Sequence, residues 1–128
     1  MTTDGLQPKP VKWIASSLDD LKDFPGEVQK RIGGALWDAQ IGQKAFSSKP
    51  LKGFGGASVL EIVKDYDGET YRAVYTVRFA LAVYVLHVFQ KKSKHGMATP
   101  RADLDLIAHR LKQAKKDYEQ WQKNRNLM

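Results

Sequence analysis

Arg72, Arg78, Lys91, Lys92, Lys94 and His95 gather positive charge and a proton-transferring group into one short part of the chain. Arg72 and Arg78 lie on a run that alternates like a strand, T-Y-R-A-V-Y-T-V-R. The other four follow where the next apolar run ends in Q-K-K-S-K-H-G. Cutting RNA without a metal ion needs a base for the 2′-hydroxyl, cations for the negatively charged phosphorane, and an acid for the leaving 5′-oxygen. His95 suits proton transfer near neutral pH, and so does a lysine whose pKa is lowered by neighbouring cations. The same groups would also serve as a solvated basic loop that only holds phosphate. Spacing alone leaves both readings open.

Strand alternation places Arg72, Val74, Thr76 and Arg78 on one face and Tyr71, Ala73, Tyr75 and Val77 on the other. Glu61 falls between Val59 and Val63 on the preceding run. A charge set mid-strand among large apolar side chains is costly without a partner, so Glu61 is expected to pair with Arg72. That pair is either an ordinary cross-strand salt bridge or a guanidinium held rigidly towards a phosphate, a task its planar fork suits. Lys49 and Lys52, in K-P-L-K-G ahead of the strands, are expected to bind RNA with Arg78 and Lys94. His87, inside an apolar run, reads as a satisfied core histidine, and His109 as a surface or seam residue. Tyr71, Tyr75 and Tyr84 read as core rather than as base-stacking platforms.

At 128 residues the chain has the size of one domain with a modest core. Its formal charge of +7 is unevenly spread. Residues 1–43 hold five Lys/Arg against six Asp/Glu, residues 44–94 nine against four, and residues 95–128 seven against four. Such a footprint favours phosphates through counterion release. The absence of cysteine excludes disulfides, thiolate chemistry and Cys-based zinc sites. Three scattered histidines make a metal site improbable, and no cofactor is expected. K-G-F-G-G lacks the Walker pattern, and no serine sits in a nucleophile-elbow context. Neither a membrane-spanning run nor a signal peptide is evident, and the expected location is cytoplasmic.

The elements that must position these residues follow from local pattern. Residues 1–9 read as a flexible leader, 10–123 as a single domain and 124–128 as a tail. V-K-W-I-A (11–15) reads as a short strand, and Ser16 or Ser17 as the cap of a helix with Asp19 and Asp20 in its first turn. Pro25 opens a second helix carrying Val28, Ile32, Leu36 and Ala39. Gly33-Gly34 within it suggests close packing against the hairpin partner or the sheet. Runs 58–64 and 70–78, joined through Asp67-Gly68, predict a β-hairpin, and 81–90 a central strand buried on both faces. A Thr99 cap with Pro100 predicts a last helix, striped by Leu104, Ile107, Ala108, Leu111, Ala114, Tyr118 and Trp121.

In order and spacing, K-P-L-K-G-F-G-G, V-L-E-I, T-Y-R-A-V-Y, Y-V-L-H-V-F-Q-K-K-S-K and A-T-P before D-L-I-A-H-R-L resemble the phage-related branch of the RelE/HigB toxins, in the RelE/ParE superfamily. The likeness runs from about Lys12 to Tyr118. It implies an α+β fold: a small, mainly antiparallel sheet with an N-terminal helical hairpin and a C-terminal helix. It also implies the toxin of a type II toxin–antitoxin system, a ribosome-dependent, metal-independent mRNA endonuclease neutralised by a helix-turn-helix antitoxin. Under that resemblance Arg72 faces the scissile phosphate and Glu61 is the acidic residue of the strand motif. Lys91 and Lys92 form the basic pair ending the last strand, and Lys52 is the basic residue before the sheet. The C-terminal Tyr or His region of better-studied RelE enzymes is replaced here by a helix, which leaves His95, with Lys94 as substitute, for the general acid. Two further readings stand beside it: a ParE-like poison of DNA gyrase, and a non-enzymatic RNA-binding phage accessory protein.

Overall fold

The computed structural model describes residues 7–91 and 98–126, with only the backbone of Lys91. In chain order the elements are β1 (Val11–Trp13), α1 (Ser17–Lys22), α2 (Gly26–Gln40), β2 (Ser48–Pro50), β3 (Val59–Tyr66), β4 (Glu69–Thr76), β5 (Val83–Lys91) and α3 (Arg101–Asn126). The strands form one sheet in the order β1-β5-β4-β3-β2. Only β1 with β5 is parallel; the other pairings are antiparallel. The expected α+β class is the observed one. β5 is interior and buried on both faces, as expected, with β1 on one side and β4 on the other.

Two apolar layers flank the sheet. On one face Leu21 of α1 and Val28, Ile32 and Leu36 of α2 pack against Ile62, Tyr71, Tyr75 and Val85. On the other, Ile107 and Ala114 of α3 pack against Val59, Val74, Tyr84 and Leu86. Each helix presents residues at three- and four-residue spacing, the stripe a helix needs to cover a sheet. Ile107 is fully buried, so Ile107→Ala would cost about 2–5 kcal/mol.

Local chemistry explains the joints. Asp67 (φ 52°) and Gly68 (φ 80°) both adopt left-handed backbone, which a two-residue hairpin of the right twist demands. Asp19 and Asp20 occupy the first turn of α1 as expected. Ser16 makes no capping bond and donates instead to Asp20 Oδ2 at 2.8 Å, while Ser17 is buried and donates to the Val85 carbonyl at 3.3 Å. In α3 the Pro100 carbonyl accepts the first helical bond, from Leu104 N at 3.0 Å. Thr99 therefore stands ahead of the cap position, and its hydroxyl is spent elsewhere.

Gly33 and Gly34 correct another expectation. Both are exposed on α2, and a Cβ built on either meets nothing within 4 Å. They are not close-packing contacts. The pattern suggested packing because paired glycines often mark it; here α2 buries the opposite stripe.

A slip in register shapes β5. Val74 pairs with His87, but its neighbour Tyr75 pairs with Val85, leaving Leu86 as the extra residue of a bulge. Consecutive Leu86 and His87 therefore both face α3, while Val85 and Val88 face the α1–α2 layer.

Candidate functional site

One rung of the sheet runs Lys49–Glu61–Val74–His87 across β2 to β5, and the next on the same face, two positions along, runs Val63–Arg72–Phe89. Glu61 and Arg72 are thus diagonal neighbours on the α3 side. Arg72 Nη1 donates to Glu61 Oε2 at 3.0 Å, forming the expected pair. Both residues are deeply buried, Arg72 at 2% and Glu61 at 4% exposure. Thr99 Oγ1 donates to the same oxygen at 2.8 Å. Sequence reading missed this contact: a Thr before Pro signals a helix cap, and nothing local points to a carboxylate 38 residues away.

These residues floor a cleft of about 250 Å³. Leu51, Val63, Ala98 and Leu104 supply apolar wall, and Lys49 and Lys52 stand exposed at its rim. Among the described residues its cations are Lys49, Lys52 and Arg72, against the single carboxylate of Glu61. An anion entering meets the rim lysines first, where salt screens the attraction. The buried guanidinium acts from below, in a medium where charge is felt more strongly.

The remaining predicted residues divide. The backbone of Lys91 pairs with Thr70, two residues along β4 from Arg72. Lys92, Lys94 and His95 lie outside the described residues. Arg78 does not line the cleft. Its Nε donates to Ser58 Oγ at 3.2 Å and its Nη2 to the Phe54 carbonyl at 3.5 Å, so it clasps the β2–β3 connection that carries Lys52.

On the same face, His87 is satisfied, as a core histidine should be. Its Nε2 bonds Asp103 Oδ1 at 2.9 Å, Arg110 Nη1 lies 3.4 Å from its Nδ1, and its ring stacks on Phe89 with centroids 4.3 Å apart. Burial pushes its pKa below the usual imidazole value, opposed by the Asp103 bond. Further along α3, Lys12 Nζ and Asp117 Oδ2 pair at 3.0 Å, and Tyr84 donates to the same carboxylate at 2.6 Å. The Tyr84 bond, with Lys12, holds the Asp117 carboxyl below its ordinary value. Tyr71, Tyr75 and Tyr84 are core, as expected. A second cleft of about 290 Å³ opens on the α2 side over Leu60, Tyr75 and Val77.

Among the described residues no group of three or more His, Asp or Glu could hold a metal ion, and no helix is long and apolar enough to cross a membrane. Residues 19–112, which include Glu61, Arg72 and Thr99, match the family described as phage derived protein Gp49-like. The chain belongs to that family. No curated protein sequence matches it. Among solved structures, a mutant of the E. coli toxin RelE in the free state is 16% identical, with a TM-score of 0.53 over 84% of this chain and 98% of that one. The Mycobacterium tuberculosis toxin–antitoxin complex RelBE2 is 18% identical, with a TM-score of 0.44 over 67% of this chain and 94% of that one. This Gp49-like chain therefore shares the fold of RelE: a mainly antiparallel sheet with helices on both faces.

Proposed function

We propose that this Gp49-like protein is the toxin of a type II toxin–antitoxin system, and that it cuts mRNA on the ribosome without a metal ion. The observation that carries the reading is the cleft in which exposed Lys49 and Lys52 stand over an Arg72 clamped by Glu61. A lysine rim over a fixed guanidinium is suited to gathering a phosphodiester and stabilising the charge that builds on it. The RelE fold supports the same reading.

In the proposed reaction a base removes the 2′-hydroxyl proton and the 2′-oxygen attacks phosphorus. The bond to the 5′-oxygen breaks, and that oxygen takes a proton from the general acid. The products are a 2′,3′-cyclic phosphate and a 5′-hydroxyl end. Arg72, with Lys91 and Lys92, supplies positive charge to the phosphorane. His95 is the general acid, with Lys94 as its substitute. Lys49 and Lys52 hold the RNA backbone, and Arg78 contributes through the connection it clasps. A helix-turn-helix antitoxin is the inhibitory partner, and the site of action is the cytoplasm, where ribosomes are.

The test is induction in cells with mapping of mRNA ends. Growth arrest with new 5′-hydroxyl ends within minutes is the expected result. Lys49→Ala/Lys52→Ala should lose that effect with an unchanged melting temperature, because both side chains are exposed. Filamentation with DNA damage and intact mRNA would replace the reading with a gyrase poison. RNA binding without cleavage or arrest would replace it with an accessory protein.

A further inference from the structure

Glu61 Oε2 accepts two hydrogen bonds from two different parts of the fold. Arg72 Nη1 comes from the adjacent strand at 3.0 Å and Thr99 Oγ1 from the entry to α3 at 2.8 Å. The terminal torsion of a glutamate is a broad, roughly two-fold rotor, so one partner leaves its carboxylate poorly oriented. A second donor on a fixed backbone removes that freedom. The Thr99 backbone is fixed, because the next residue, Pro100, has a set φ and its carbonyl accepts the first bond of α3. Thr99 is itself buried, so water does not compete for the carboxylate at that point. Its hydroxyl is not needed as a helix cap, since Pro100 holds that position.

We infer that Thr99 is a positioning residue: through Glu61 it holds the Arg72 guanidinium in one pose towards an RNA phosphate in the cleft. This deepens, and in its catalytic part rests on, the reading of the cleft as an RNA-cleaving site. The essential group is the hydroxyl. Thr99→Val keeps the shape and deletes the donor, and Thr99→Ser keeps the donor.

The test uses the purified full chain with ribosomes programmed by a defined mRNA, together with NMR of the Arg72 guanidinium. Thr99→Val should lower kcat by about ten- to a hundredfold, the range for a lost hydrogen bond to a charged group, with KM nearly unchanged. Thr99→Ser should restore it. The Arg72 side-chain N–H signals should show slow rotation in the wild type and Thr99→Ser, and fast rotation in Thr99→Val. If Thr99→Val cleaves like the wild type, or if Thr99→Ser fails to rescue a well-folded protein, the inference is overturned. A fall in kcat that simply tracks a collapsed melting temperature overturns it too, reducing Thr99 to a structural contact. If the wild type cleaves nothing, the proposed activity fails by itself. The NMR comparison then still decides whether Thr99 orders Arg72, and unchanged signals in Thr99→Val count against it.

Discussion

Arg110 Nη1 donates to the Leu86 carbonyl at 3.0 Å, at the point where β5 slips against β4. The extra residue of a bulge leaves ladder groups without their regular partner, and α3 supplies one from outside the sheet. Arg110→Met should therefore cost about 1–2 kcal/mol in urea unfolding, since it strips a partner from a carbonyl in the interior. A loss no larger than that of an exposed Lys115→Met control would show that the bulge does not rely on α3.

His87 gives stability a pH dependence of predictable sign. It faces Asp103 and Arg110 on α3, with Asp20 of α1 adding a longer-range field, and its folded pKa lies below the usual 6.5, chiefly through burial. Below that usual value the unfolded chain takes up a proton that the folded chain resists. Stability from this group is thus present above about pH 6.5 and lost as pH falls towards the lowered folded value. Urea midpoints measured from pH 7.5 to 5 should fall, and His87→Asn should flatten that part of the curve. An identical slope in the variant would assign the effect to other groups.

Arg72 and Glu61 allow stability to be separated from chemistry. Arg72→Ala leaves a buried carboxylate without its cation and should cost about 3–5 kcal/mol. Arg72→Met/Glu61→Met replaces the pair by apolar bulk and should recover most of that loss. Growth arrest should be absent in both. A stable double variant that still arrests growth would remove Arg72 from the chemistry.

Gly33→Ala and Gly34→Ala should each raise stability by about 0.5–1 kcal/mol, since α2 is helical there and nothing obstructs a methyl group. Chemical denaturation of the single variants checks this.

Much of this fold is legible in the sequence. The alternation in Val59–Tyr66 and Glu69–Thr76, with Asp67-Gly68 between them, fixes a hairpin and sends Glu61 and Arg72 to one face. Near-continuous apolarity marks β5 as an interior strand, yet that same uniformity hides the bulge, because His87 beside it is a single polar position and alone does not report a change of face. Ser48–Pro50 gave no strand signal: it is three residues long, contains a proline, and gains its conformation from β3. Thr99 before Pro100 carries the local pattern of a helix cap, not of a carboxylate partner. Its partner is fixed by the docking of α3 on the sheet, a tertiary fact with no local trace.

Lys49 has a second consequence, for solubility. It sits with Pro50 on β2, an edge strand of three residues, and β1 at the other edge is equally short. Short edges bearing lysine and proline are poor templates for strand addition by another copy of the chain. The lysine that rims the cleft therefore also blunts the sheet. A variant that silences the cleft with an apolar residue at position 49 would expose a stickier edge, whereas Lys49→Gln would keep the chains apart.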